Sequence, residues 1–352
     1  MPSASPSPLH QAVLRRTILA RHLWTLVRSA FPHSSTSIFA PAGTPAHSIL
    51  SLSMLVLGIT AAIFLIVAGL LLYAVVRYRH RASDANAAQE PAQIYGSNQI
   101  ELAWTVIPIL IVVLLFLATA RIILSTQNAP RPAAALDVTV VGHQFWWEFS
   151  YPKLGIVTAN ELHIPVSDPK HPTPTYLTMT SADTDHSFWV PRLAGKMDLI
   201  PNQINTMWLD PQAPGLYLGQ CAQYCGVQHA KMLLRVYADT PADFSAWVAR
   251  QQQPAVNSPD PQAAAGRAVF QRSVCISCHT VSGTVATGRF GPDLTHLASR
   301  ETIASGSVPN TPANLRAFVD NPAAFKPGAL MPAMHLNQRD LDALTAYLTT
   351  LK

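Results

Sequence analysis

Cys221-Ala222-Gln223-Tyr224-Cys225-Gly226-Val227-Gln228-His229-Ala230-Lys231-Met232 puts two thiols, an imidazole and a thioether within one turn and the strand expected after it. Soft sulfur combined with imidazole selects copper, and Cys, His and Met together are an electron-transfer donor set. A mononuclear blue-copper site takes one thiolate, so two cysteines point instead to two copper ions bridged by both sulfurs. Each ion then needs one imidazole, and the second must arrive from elsewhere in the same domain. His186, in Asp183-Thr184-Asp185-His186-Ser187-Phe188-Trp189, is the best candidate. The Met232 sulfur and the backbone carbonyl of Gln223 fill the weak axial positions. A disulfide and a zinc site are the competing readings, and neither needs Met232.

Around this loop the chain reads as short β-branched and aromatic runs broken by Pro, Gly, Asn and Asp. They are LDVTVVGHQFWWEFSY (136–151), TYLTMTS (175–181), INTMWLD (204–210), GLYLGQ (215–220) and KMLLRVYA (231–238). That texture predicts an all-β sandwich or barrel over residues 129–250. A helix closes it, capped by Thr240 with Pro241 at its first position and Asp243 reaching back. Residues 251–262 (QQQPAVNSPDPQ) are polar and proline-rich, a semi-stiff linker.

The remaining two of the four cysteines lie beyond the linker, in Cys275-Ile276-Ser277-Cys278-His279. This is the signature of covalent c-type haem attachment, in which the thiols add to the porphyrin vinyl groups and the adjacent histidine ligates iron. A disulfide and half a zinc site are the competing readings, and no second C-x-x-C exists in residues 263–352 to complete a zinc site. A sixth ligand must come from downstream, where PGALMPAMH offers Met331, Met334 and His335; Met331, between prolines and small residues, is preferred. Helices are expected from Asp260-Pro261, with Gly266 and Phe270 on one face, and from Asn337, with Leu341, Leu344, Tyr347 and Leu348 in register. Residues 263–352 therefore read as a small all-α domain.

Upstream lies a hairpin of membrane helices. Ile49–Val76 is an uncharged run of about 28 residues and Leu102–Ala120 one of about 19, against the roughly 20 that span a bilayer. The helices are placed at 49–76 and 101–124 within a 49–128 membrane unit. Arg77, Arg79 and Arg81 with His80 mark the turn as cytoplasmic, which puts the rest of the chain after Arg121 outside. The tail, residues 1–48, carries Arg15, Arg16, Arg21 and Arg28 without an acid and has no clean signal-peptide core.

Composition agrees with a modular membrane protein. The chain has 352 residues, with 12% charged and 49% hydrophobic, and its mean hydropathy is positive. These values exclude a disordered chain. A net charge of +5 with no basic cluster interleaved with aromatics sets nucleic-acid binding aside. The charge is unevenly divided: residues 137–250 hold 7 basic and 10 acidic side chains, residues 264–352 hold 8 and 5. Opposite signs favour docking, and a linker of about a dozen residues holds the two domains near millimolar effective concentration.

From about Ala40 onward the sequence resembles subunit II of haem-copper cytochrome c oxidases, specifically the caa3 type with a fused cytochrome c domain. The resemblance rests on Glu101-Leu102-Ala103-Trp104-Thr105-Val106-Ile107-Pro108, Gly142-His143-Gln144-Phe145-Trp146-Trp147, the His186 segment, Lys196-Met197-Asp198 and the two cysteine motifs, with Gly291-Pro292-Asp293-Leu294 as a haem-pocket loop. It implies a two-helix transmembrane hairpin, a cupredoxin domain with a binuclear copper A centre, and a class I cytochrome c domain with covalent haem c. The implied copper ligands are His186, Cys221, Gln223 through its carbonyl, Cys225, His229 and Met232; the implied haem residues are Cys275, Cys278, His279 and Met331. The implied function is electron input to a proton-pumping terminal oxidase, from haem c to copper A and on to haem a of subunit I, which reduces oxygen with haem a3 and a further copper. The implied partners are subunits I and III, an upstream cytochrome c or other donor, and the bacterial cell membrane, with both redox domains on its outer side. Glu101 matches a carboxylate at the mouth of a proton path. Two departures stand out: relatives often carry Glu at Gln223, where it also serves magnesium, and Trp at Phe145, where it receives electrons.

Overall fold

The computed structural model describes residues 36–79, 96–127, 131–133, 135–168, 172–255 and 258–352. The tail up to residue 35, the turn residues His80 and Arg81, and linker residues 256–257 lie outside these. The chain forms two compact units, one of residues 48–129 and one of residues 1–47 with 130–352.

The first unit is built on α1 (Thr44–Arg77) and α2 (Asn98–Gln127). Both exceed the expected spans by about a turn at one or both ends. Among the described residues, the Leu, Ile, Val and Phe side chains of both helices stand largely exposed, Phe64 and Phe116 each at 68%. In water such surfaces would associate; in lipid they are satisfied as they stand.

The second unit contains a β sandwich and a helical domain. Among the described residues, ten strands form two five-stranded sheets. The first takes the order β3 (Ile156–Ala159), β2 (Trp146–Tyr151), β1 (Asp137–His143), β5 (Thr175–Ser181), β8 (Asn205–Leu209). The second runs β4 (Glu161–Pro165), β10 (Leu233–Asp239), β9 (Gly215–Cys221), β6 (His186–Trp189), β7 (Met197–Leu199). The choice between sandwich and barrel is thus decided for the sandwich. Alternation along each strand aims one face inward: in β5 every second residue is buried, and Trp147, Phe149, Tyr151 and Phe188 are fully enclosed between the sheets. Each such side chain contributes about 1.5–3 kcal/mol relative to exposure. The run 136–151 splits into β1 and β2, which pair antiparallel with His143 opposite Trp146, so Gln144 and Phe145 become a corner.

Helix α3 (Pro241–Gln251) is capped as expected, the Thr240 hydroxyl accepting from the Asp243 amide. Its Trp247 stacks on His163, which stacks in turn on Tyr237, tying the helix to β4 and β10. The helical domain follows: α4 (Pro261–Arg272), α5 (Cys275–Cys278), the two-stranded hairpin β11 (Thr302–Ile303) and β12 (Val308–Pro309), α6 (Pro312–Asp320), α7 (Pro322–Phe325) and α8 (Gln338–Leu348). Asp260 and Asn337 cap α4 and α8. At the crossing of these two helices Gly266 leaves no room for a side chain, since a Cβ there would lie 1.8 Å from the Ala343 carbonyl oxygen. That close approach packs Phe270 against Leu344, Tyr347 and Leu348 in one core.

Candidate redox site

β9 ends at Cys221 and the chain turns back through Tyr224 and Gly226, whose φ of +127° only glycine adopts readily, before a short 3-10 turn at His229–Lys231 leads into β10. The Cys221 amide donates to the Met232 carbonyl, pinning the two ends of the loop side by side. β6 pairs with β9, Phe188 opposite Cys221, and this register carries His186 to the same end of the sheet. Gly142 on β1 completes the seat, because a Cβ there would meet the His186 ring at 2.8 Å.

Six groups meet at this point. Cys221 Sγ lies 3.9 Å from Cys225 Sγ, 3.9 Å from His186 Nδ1 and 3.1 Å from the Gln223 carbonyl oxygen. Cys225 Sγ lies 3.9 Å from His229 Nδ1 and 3.8 Å from Met232 Sδ. Donors that share a metal at about 2.0–2.3 Å stand about 3.5–4 Å apart from one another, so the spacing suits metal between them. A disulfide would need about 2.05 Å, and the four cysteines are free thiols. His186 and Met232 are fully buried and both cysteines are 3% exposed, so the sulfurs are shielded from solvent, while His229 is half-buried and Gln223 exposed.

The electrostatics favour a bound cation. The hydrogen bond with Cys225 pulls the Cys221 thiol far below the usual thiol range, leaving the shared proton on Cys225, whose thiol is pushed up by that same thiolate and by burial. Burial opposes a charge on His186, yet its hydrogen bond to Asp183, with the Cys221 thiolate beside it, holds the imidazole above its ordinary pKa. Asp183 Oδ1 meets His186 Nε2 at 2.8 Å, which aims Nδ1 at the sulfurs. Asp183 carries no sequence signal of its own beyond its place three residues before His186.

The second candidate group lies in the helical domain. Cys275 and Cys278 occupy the ends of α5, and together with His279, Met331 and Met334 they line one large, mainly apolar cavity. His279 Nδ1 donates to the Pro292 carbonyl at 2.7 Å, which fixes the tautomer and leaves Nε2 as the free lone pair. Burial pulls this imidazole below its ordinary pKa, keeping it neutral and fit to ligate. Gly291 lies flat on the ring, where a Cβ would come within 2.6 Å of Cε1. Met331 packs against the domain core, whereas His335 is exposed and does not line the cavity. A deep apolar pocket, two thiols at its rim and one oriented imidazole suit a haem. Glu101 sits in the first turn of α2, in the membrane unit.

The two centres share a wall. Gln144, Phe145 and Trp146, the β1–β2 corner, line the cavity of the helical domain. On its other side the corner meets the sulfur loop: the Gln144 side chain donates to the Cys225 carbonyl at 2.6 Å, and the Phe145 ring lies where a Cβ on Gly226 would touch it at 3.1 Å. His143 stacks on Trp146 at 4.2 Å.

Comparison with known proteins agrees with both halves. Residues 32–122 match the family described as cytochrome C oxidase subunit II, transmembrane domain; residues 169–238 match cytochrome C oxidase subunit II, periplasmic domain; and residues 263–352 match cytochrome c. The chain is 33% identical to cytochrome c oxidase subunit 2 of Alkalihalophilus pseudofirmus over 89% of its own length and 90% of that protein. It is 32% identical to quinol oxidase subunit 2 of Bacillus spizizenii, over 68% of this chain and 74% of the other. Among solved structures, the periplasmic domain of subunit II of cytochrome oxidase from Bradyrhizobium japonicum is 26% identical, covering 35% of this chain and 97% of that one with a TM-score of 0.32.

Proposed function

The chain belongs to the cytochrome c oxidase subunit II family and ends in a cytochrome c domain, and from that premise we propose that it is the electron-input subunit of a proton-pumping haem-copper oxidase. The bound groups, a covalent haem c and a copper pair, supply one-electron transfer from haem to copper and on to haem a of subunit I, where oxygen is reduced to water. The observation that carries this reading is the convergence of Cys221, Cys225, His186, His229, Met232 and the Gln223 carbonyl at metal-sharing distances. A quinol-oxidising relative of the same fold has no use for that set.

Each side chain then has one task. Cys221, Cys225, His186, His229, Met232 and the Gln223 carbonyl would hold the copper, their soft sulfur and imidazole donors suiting it to one-electron transfer. Asp183 holds His186 in its tautomer. Burial of Cys221, Cys225, His186 and Met232 lowers the local dielectric there, which would tune the potential of a bound metal. In the other domain Cys275 and Cys278 would hold the haem covalently, with His279, whose Nδ1 is taken by the Pro292 carbonyl, and Met331 as the side chains that would ligate its iron. The Phe145 and Trp146 corner separates the centres with side chains instead of solvent. The helices α1 and α2 anchor these domains to the outer face of the cell membrane beside subunits I and III, with Glu101 at the cytoplasmic mouth of a proton path.

Metal and haem analysis of the purified chain tests this directly. Two coppers and one haem c per chain, with a mixed-valence copper EPR signal and co-purification of a many-helix haem protein, are the expected results. A single EPR-silent ion per chain, or a chain that purifies without an oxidase, overturns it.

A further inference from the structure

We propose that Glu161 is a positioning residue that latches the helical domain onto the β sandwich, its carboxylate receiving the backbone amides of Glu301 and Thr302. The inference rests on the reading that electrons cross between these domains, since only then does their register matter.

Glu161 opens β4 and is 3% exposed. A carboxylate is almost never so buried unless it is paired. Among the described residues, the hydrogen bonds its side chain makes all cross to the other domain: Oε2 receives the Glu301 amide at 3.1 Å, and Oε1 receives the Thr302 amide at 2.9 Å and the Thr302 hydroxyl at 2.7 Å. Hydrogen bonds to an ionised oxygen are the strong kind, and three on one carboxylate fix direction as well as distance. Arg235 of β10 pairs with Glu301 at 3.6 Å beside them, and the partly buried Arg300 has its positive charge favoured by the same carboxylate.

The element so held is the hairpin β11–β12, two residues per strand, too short to be stable alone. Its tip carries Ala304, Ser305 and Gly306 at φ of +52°, +56° and +77°, two of them residues that avoid this region. The tip is held by the other domain: the Leu233 amide donates to the Ser305 carbonyl at 3.1 Å, the Ser305 hydroxyl and the Lys326 ammonium both donate to the Phe145 carbonyl, and Gly306 lies against Leu233. Base and tip are thus fastened at two separate places, which removes rotation about either one. A tether and opposite net charges bring the domains together in any orientation; this latch selects one, with the cavity closed by Phe145 and Trp146.

The test uses the full chain in detergent, loaded with copper and haem. The linker is cut by limited proteolysis within residues 253–259, and the products are separated by size. Wild-type haem fragment stays with the membrane-bound fragment at micromolar concentration. Glu161→Ala, which strands the buried Thr302 amide and hydroxyl and frees the Glu301 amide, weakens association roughly 10- to 100-fold and releases the fragment. Thr302→Val removes one of the three bonds without touching the sandwich and gives a smaller loss, so the reasoning survives if Glu161→Ala does not fold. In the uncut chain, light-triggered reduction of haem c reads the register: copper reduction in wild type is independent of glycerol and salt, whereas in Glu161→Ala it slows and becomes sensitive to both, with the copper EPR signal and haem potential unmoved. Retention of the fragment by both variants as firmly as by wild type, or its loss from wild type, overturns the latch. Fragments that stay together while haem c never reduces copper refute the proposed function and leave the latch standing.

Discussion

Gly266→Ala sets two known effects against each other at the crossing of α4 and α8. By helix propensity alone the change should stabilise α4 by about 1 kcal/mol. Geometry opposes this, because the added Cβ would stand 1.8 Å from the Ala343 carbonyl oxygen, 2.5 Å from its carbon and 2.8 Å from Tyr347 Cβ. A carbon and a carbonyl oxygen approach no closer than about 3.3 Å, so the helices must part by roughly 1.5 Å. The obstacle is backbone, which no rotamer change can remove. Overpacking of this kind costs about 1–3 kcal/mol and more when backbone must move. Taking the upper end and subtracting the propensity gain leaves a net loss of about 2 kcal/mol, which for a domain of this size lowers the midpoint by about 8–16 °C. The consequence reaches function, since α4 leads into the Cys275–His279 motif and α8 receives the Met331 loop. Thermal unfolding of the haem-loaded chain, followed at the Soret band, reads the result. A midpoint equal to wild type or higher would refute the claim that Gly266 is there for close helix packing.

Further outcomes follow from other contacts. Gly291→Ala presses a methyl group onto His279, which lies 2.6 Å from that Cβ position, and should displace the imidazole; the change is read as a weakened Met–iron absorption band and a shifted haem potential at unchanged copper content. Met232→Leu keeps volume in a fully buried seat and should cost under about 1.5 kcal/mol, while altering the copper EPR and absorption spectra because the thioether is lost. Burial pulls the Lys326 ammonium down to about 7, below the 10.5 of a free lysine. Between those values the unfolded chain holds a proton that the folded chain has released, so the stability from this residue is full above the upper value and lost as pH falls through 7. Unfolding midpoints measured from pH 6 to 10 should therefore rise more steeply in wild type than in Lys326→Met, and parallel curves would show that burial does not govern this amine.

Local patterns were legible wherever one short segment carries its own chemistry. The two cysteine motifs point to copper and to haem because sulfur and imidazole spacing is a local property, and the apolar runs of α1 and α2 point to a bilayer because lipid demands an unbroken length. The caps at Thr240, Asp260 and Asn337 were likewise readable, since a cap is satisfied within its own first turn. What only the tertiary structure decided depends on pairing across distance. The antiparallel register of β6 with β9 is what places His186 beside Cys221, thirty-five residues away. The run 136–151 reads as one strand until cross-strand pairing folds it at Gln144 and Phe145. Glu161 carries no motif at all; its role exists only because Thr302, 141 positions later, offers two donors to a carboxylate that has left water. Chemistry confined to a turn is written in the order of residues, whereas a buried charge acquires its partner only when the whole chain has closed around it.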